Sequence, residues 1–510
     1  MPLSITYLSV YYILFNKILS NRHFTSTFIH YKFYIVLTGA KFFQLLNTFS
    51  VYELKRFRKY LCSPLHNEDE TYIHLFDLVS PYIKADQSTL TRDMIGRKLY
   101  PQKKLSNQDY ARLFTNFSRR IEGFMALEKY YSQPVREYTD VLESFNDRHL
   151  GKYFSDMHEY VKKLHDKQPM RSGEYYLTTF RIEVLHHDYL EGKQERSTNK
   201  NLIETLAALD TYYLITKLRF CAAMLHYQAF LSLEGEVALI HEILAHCADM
   251  KYDNVPLLKA YYYIVMSLIE PDDEKYFEAL RQIIFANTEA FPSETQRDLF
   301  AFAINYCINR INYGNVNYLR QILELYQQAL DKEIILTNGE LSPWDFKNIV
   351  TIGLRNKDYK WTESFIEKYR TKIPKSEREN AYTFNQARYY FATRKYDKVL
   401  QLLQSVEYSD IFYLLDSKTT LMKTYYELDE YQSLQSLKES FRILLRRKKL
   451  ISEQNQINYS NFARYTMKLY RADVRDKRAM EALKKEIEST GNVADKGWIL
   501  EKLAQMTDVG

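Results

Sequence analysis

The amino-acid sequence predicts an all-α protein: an α-solenoid of stacked antiparallel helix pairs preceded by an N-terminal helical unit. Three observations carry that prediction. Glycine and proline number only 13 and 11 in 510 residues, against roughly 12% together in an average protein, and sheet-rich folds need both at their many tight turns. Apolar residues recur at helical spacing, as in Leu319, Ile322, Leu323, Tyr326 and Leu330, or Leu434, Leu437, Phe441 and Leu444, and helices this short must stack to be stable. Tyrosine, present 45 times, returns at Tyr276, Tyr318, Tyr359, Tyr396 and Tyr431, at intervals of 42, 41, 37 and 35 residues.

The chain is too long for one ordinary core, so two or three domains or one long array is expected. Residues 1–37 form an apolar extension; its first 36 residues hold no Asp or Glu. The run from Leu3 to Phe15 is too short for a membrane span, and no basic region precedes it as a signal peptide requires. Three readings stay open: translated sequence upstream of a later start, a membrane anchor, or a structured segment. Residues 38–135 form the N-terminal helical unit. Phe42, Phe43, Leu45, Leu46 and Phe49 share a helix face, and Ser50-x-x-Glu53 is a capping box, with Phe49 and Leu54 at hydrophobic-staple spacing. The next helix buries Phe57 and Leu61, presents Lys55, Arg56, Arg58 and Lys59, and stops at Ser63-Pro64. Such a basic face is either a solvated helix end or a nucleic-acid patch. The stretch from Tyr52 to Asn67 is similar to the opening of a group of uncharacterised helical proteins from Bacteroidetes-type bacteria, which implies a bacterial protein.

Residues 136–510 are read as the repeat array. Polar turns precede its last three recurring tyrosines: Asn356-Lys357-Asp358-Tyr359, Thr393-Arg394-Lys395-Tyr396 and Leu428-Asp429-Glu430-Tyr431. Ser342-Pro343 is an N-cap followed by proline at the first helical position, and Ser376-x-x-Glu379 a second capping box. The pattern resembles the tetratricopeptide repeat, whose period is about 34 residues. Ala387 falls on its small first-helix position, Tyr390 and Tyr425 on its aromatic one and Leu421 on its leucine. The turn glycine is missing, Val399 and Leu434 replace the second-helix alanine, and the period drifts. The resemblance implies a concave face lined by first-helix positions five, six, nine and thirteen. Here these are Lys347, Asn348 and Arg355, then Asn385 and Arg388, then Lys423, a set that would clamp a partner's acidic segment or free C-terminus through charge-assisted bonds. Phe384 and Thr419 stand where a full clamp would want polar reach.

Catalytic and metal motifs fail on spacing. His241 and His246 are five apart and diverge by about 140° on a regular helix, so they cannot share a metal as the zinc-protease pair does. His186 and His187 are adjacent and diverge as well. Ser197-x-x-Lys200 lacks the further motifs of serine β-lactamases. Asp272, Asp273 and Glu274 precede a helix, where acids favour its dipole, without calcium-loop spacing. The run Arg442, Arg446, Arg447, Lys448 and Lys449 sits at a helix end, where cations are stabilising. No cofactor motif occurs. Cys62, Cys221, Cys247 and Cys307 are scattered, which points to a reducing, cytoplasmic setting. Residues 1–60 hold eight Lys/Arg and one acid, Glu53, leaving 62 basic and 63 acidic residues in the remaining 450. A protein that wraps nucleic acid carries a basic stripe throughout, so the expected role is a non-catalytic protein-interaction scaffold, with a nucleic-acid-associated protein led by the basic N-terminal helix as the alternative.

Overall fold

The computed structural model describes residues 39–84, 90–192, 199–231, 235–248, 252–403, 411–447, 451 and 453–508. The expectations for residues 1–37, for Ser197 and for Lys448 and Lys449 lie outside the described residues. The rest is helical, with an isolated bridge between Thr337 and Glu340 and no strand among the described residues. Contacts divide it into two compact units, residues 39–169 with 173–213, and residues 170–172 with 214–508. The boundary expected near residue 135 thus falls inside the first unit.

The first unit opens with α1 (Lys41–Asn47), α2 (Val51–Leu61), α3 (Thr71–Val79), α4 (Arg92–Leu99) and α5 (Asn107–Tyr131). Phe42, Phe57, Leu61, Leu75, Phe117, Ile121 and Phe124 make one core, with α1 and α2 laid on α5. The capping box at Ser50 is formed: the Glu53 amide donates to the Ser50 hydroxyl (3.2 Å) and the Ser50 amide to the Glu53 carboxylate (2.6 Å). α6 (Pro134–Asp147), α7 (Gly151–Asp166) and α8 (Gly173–Gly192) pack on one another. α9 (Asn199–Leu231) is shared, with its residues up to Tyr213 in the first unit and the rest in the second.

The second unit continues with α10 (Ile240–Ala248), α11 (Pro256–Ile269), α12 (Glu274–Asn287), α13 (Ser293–Asn312) and α14 (Tyr318–Asp331). Then follow α15 (Pro343–Arg355), α16 (Tyr359–Tyr369), α17 (Arg378–Ala392), α18 (Tyr396–Leu403), α19 (Ile411–Glu427), α20 (Tyr431–Arg447), α21 (Glu453–Arg471), α22 (Lys477–Ser489) and α23 (Lys496–Asp508). Tyr318, Tyr359, Tyr396 and Tyr431 are each the first residue of a helix, as the tyrosine recurrence predicts, and Tyr276 lies within the first turn of α12. α15 packs on α17, α17 on α19, α19 on α21 and α21 on α23, so alternate helices form one continuous rank. α16, α18 and α20 pack mainly on their sequence neighbours.

The turns explain the register. Lys357, Arg394 and Asp429 each lie two residues before a helix-opening tyrosine, and each has φ 59°. Around Lys357, its amide donates to Leu354 O (3.0 Å) and the Asp358 amide to Gly353 O (3.0 Å). The pair recurs as Arg394 to Phe391 (3.0 Å) with Lys395 to Tyr390 (2.8 Å), and as Asp429 to Tyr426 (3.2 Å) with Glu430 to Tyr425 (2.9 Å). This is the Schellman helix ending, which needs a left-handed residue and usually takes glycine there. Here Lys357, Arg394 and Asp429 fill the left-handed position that glycine suits.

The cap at Ser342 forms, its hydroxyl accepting from the Trp344 amide (3.2 Å) with Pro343 in the first turn. The expected capping box at Ser376 does not. α17 starts at Arg378 with no side-chain cap, because Glu379 turns instead to Arg370 (3.3 Å).

Candidate functional site

In the second unit, α15, α17, α19 and α21 bring their polar residues to one shared set of contacts. On α15, Lys347, Thr351 and Arg355 recur at helical spacing, with Asn348 beside them. The Lys347 ammonium is almost fully buried and ion-paired to Asp416 of α19. It also lies 5.2 Å from the Trp344 ring, 5.6 Å from Tyr413 and 5.8 Å from Phe384. Three aromatic faces and a carboxylate therefore hold this cation in place of water. Asp416 accepts a further bond from the Tyr459 hydroxyl of α21 (2.8 Å).

Arg388 of α17 is half-buried and donates to the Thr351 hydroxyl (2.7 Å). The two residues hold the same register position in successive helices of the rank. Burial presses the Arg388 guanidinium down from its ordinary pKa, opposed by the Asp416 and Asp495 charges. Asn385 is fully buried; its amide donates to Ala381 O (2.8 Å) and its Oδ1 has no partner. Lys423 of α19 pairs with Asp495 (2.7 Å) and lies 4.8 Å from the Phe391 ring. Burial alone would raise the Asp495 carboxyl, but Lys423 holds it well below the usual carboxylate range. Arg355, at the end of α15, is exposed and feels the Asp495 charge.

Of the six sequence-derived candidates, Lys347, Arg388 and Lys423 make polar contacts with other elements, Asn348 and Asn385 are buried on the same helices, and Arg355 is exposed at the end of α15. Two are already committed: Lys347 to Asp416 and Lys423 to Asp495. Among the described residues, the cluster's cations Lys347, Arg355, Arg388 and Lys423 outnumber its carboxylates, Asp416 and Asp495. Of the four, the half-buried Arg388 has no ion pair among the described residues, and a partly desolvated charge without a counter-charge is costly, so an anion is the ligand chemistry it suits. Asp416 and Asp495 were missed from the sequence. Asp416, Thr420 and Lys423 share a helix face, a signal available in the sequence; Asp495 lies in a turn between α22 and α23 and gives none.

The other sites do not assemble. His241 is exposed, and His246 binds the Tyr252 hydroxyl (2.8 Å). His186 stacks on His158 (centroids 4.1 Å apart), whereas His187 faces Glu191 (3.5 Å). Burial would raise the neighbouring Glu183 carboxyl, yet bonds from His186, Lys162 and Asn201 hold it at about 2. Among the described residues no group of three His, Cys, Asp or Glu side chains is placed to hold a metal ion. Asp273 caps α12 and Asp272 pairs with Arg310 (2.7 Å). On the basic helix α2, Arg58 makes a two-pronged pair with Asp77 (2.7 and 2.8 Å) and Arg56 pairs with Glu128 (2.8 Å), so half of that charge is answered within the chain. Arg442 pairs with Glu439 (3.0 Å). The four cysteines are free, three of them buried. No described helix is long and apolar enough to cross a membrane.

No family model matches this chain, and neither does any curated protein or solved structure.

Proposed function

We propose that the chain is a non-catalytic, cytoplasmic protein-interaction scaffold. Its helix pairs from Pro343 onward stack as a tetratricopeptide-like superhelix, and the rank α15, α17, α19 and α21 receives an acidic segment or free C-terminus of a partner protein. The observation that carries this reading is Arg388, half-buried within reach of the Asp416 and Asp495 charges of the two lysine pairs and without an ion pair of its own among the described residues. The ion pairs refine which residues act. Arg388, with one donated bond to Thr351, and Arg355, at the exposed rim, have donors to give, whereas Lys347 and Lys423 position the cluster.

The test is recovery of partners by pull-down with mass spectrometry, alongside binding of a fluorescent Glu-rich peptide with a free or amidated C-terminus. The Arg355→Ala/Arg388→Ala double variant is expected to lose partners and peptide together while its circular dichroism stays unchanged. Lys423→Ala is expected to lose less. Undiminished recovery by a folded double variant would remove this rank as the binding surface.

A further inference from the structure

A helix at a protein surface normally turns its apolar stripe to the core and its polar residues outward. Over residues 201–213 α9 does the reverse, burying small and polar side chains and exposing large apolar ones. Asn201, Thr205, Ala208 and Thr211 are buried on one face. On the other, Leu202 is 41% exposed, Ile203 65%, Leu206 58%, Leu209 37% and Tyr213 42%. At about 100° per residue, Leu202, Leu206, Leu209 and Tyr213 fall within about 60° of one another, with Ile203 at the edge. Their steps of four, three and four residues are the alternation by which two helices interdigitate along a seam.

We propose that this stripe is a self-association surface, on which α9 of a second copy of this chain packs antiparallel. The stripe is its own complement. A two-fold axis between Ala207 and Ala208 sets Leu202 of one copy opposite Tyr213 of the other, and Leu206 opposite Leu209. One patch therefore serves both sides, as an isologous contact requires. The antiparallel sense matches a large residue with a smaller one in the outer layers, where a parallel pairing would stack Tyr213 on Tyr213. It also opposes the two helix dipoles.

The flanks do not call for an ionic partner. Glu204 is already beside Lys162 (3.5 Å), which leaves Asp210 as the exposed charge along these turns. Five large apolar side chains make a patch of a few hundred Å², at the upper end of what a monomer leaves uncovered. Doubled across the axis, with its rim, it approaches the ~1,000 Å² at which a specific contact begins. The association is therefore reversible and concentration-dependent.

The experiment measures the mass of the full chain by light scattering over a wide range of protein concentration. Wild type is expected to pass from monomer to dimer, and Leu206→Glu to remain monomeric throughout with unchanged circular dichroism. A second arm does not depend on that variant folding. In a Cys62→Ser background, which removes the exposed thiol, Leu206→Cys is treated with a short bis-maleimide and compared with Leu202→Cys. The antiparallel seam offsets the two copies of position 206 by about 4.5 Å along the axis and those of position 202 by about 16 Å. Cross-linking at 206 and not at 202 is expected. A wild type monomeric at every concentration, a Leu206→Glu variant that dimerises equally well, or linkage at both positions or at neither overturns the proposal. A monomer whose stripe is covered by another part of its own chain falls in the first of these outcomes.

Discussion

Replacing Lys357 and Arg394 by glycine should make the second unit more stable, although each change deletes a whole side chain. Both residues close a helix in the left-handed region, with φ 59°, and both side chains are exposed. An L-residue held there sets its Cβ against the following carbonyl at a cost of about 1–2 kcal/mol. Glycine avoids that cost but loses more chain entropy on folding, by about 0.5–1 kcal/mol. The net gain is about 0.5–1 kcal/mol per site, or about 1–2 kcal/mol for the pair. In a unit of this size that raises the melting temperature by about 2–4 °C. The assay is thermal unfolding of the full chain followed by circular dichroism, with Arg394→Ala as the control that trims the side chain and keeps the Cβ. Asp429→Gly should not gain. Aspartate tolerates this region better than lysine or arginine, and the Tyr470 hydroxyl bonds both the Asp429 carboxylate and its carbonyl oxygen (3.1 Å). The reasoning is refuted if Arg394→Ala stabilises as much as Arg394→Gly, or if the double glycine variant melts at or below wild type.

Gly353→Ala should destabilise the unit by about 1–3 kcal/mol, against the gain of about 1 kcal/mol that helix propensity alone predicts. A Cβ there would run into the Thr362 hydroxyl and lie 3.3 Å from the Trp361 ring; denaturant midpoints decide the sign. Burial pushes the Asp345 carboxyl up to about 7 from its ordinary 3.8 and outweighs the favourable helix-start position, and its Oδ1 has no partner. Because the folded pKa is raised, this group's contribution to stability is fully present below pH 3.8 and is lost as pH rises to about 7. Asp345→Asn should therefore gain on wild type by about 4 kcal/mol across that window, read as the difference between their denaturation midpoints at each pH; parallel pH profiles would refute it. Asp416→Ala strands the Lys347 ammonium among Trp344, Phe384 and Tyr413 and should cost about 3–5 kcal/mol. Adding Lys347→Met should restore most of that loss, and a double variant no better than the single would show that the pair is not coupled.

What could be read from the sequence depended on how far apart the interacting residues are. Helix starts are local, so Ser50 with Glu53, Ser342 with Pro343, and the opening tyrosines at 318, 359, 396 and 431 were legible. Ser376 misled because a capping box is a competition: Arg370, nine residues before Glu379, offers the carboxylate a charged partner in place of a backbone amide. The cluster was half legible. Register gathers Lys347, Arg388 and Lys423 on one rank, but whether a cation there is available depends on a carboxylate 69 or 72 residues away in the chain. No local pattern announces Asp495.

The turn residue is the instructive case, because Lys357, Arg394 and Asp429 take the left-handed position that glycine usually fills. Each helix ending at Lys357, Arg394 and Asp429 retains both Schellman hydrogen bonds. Two such bonds together contribute about 1–3 kcal/mol, which matches or exceeds the cost of a left-handed L-residue. A glycine at this position can therefore be replaced without opening the turn. The residue at such a turn can then vary while the interval from helix end to helix start stays fixed at three residues. In such an array the tyrosine that opens the next helix is a more durable marker than the glycine that closes the last, since its ring packs against its neighbours, as Tyr396 does on Phe391 at 5.6 Å.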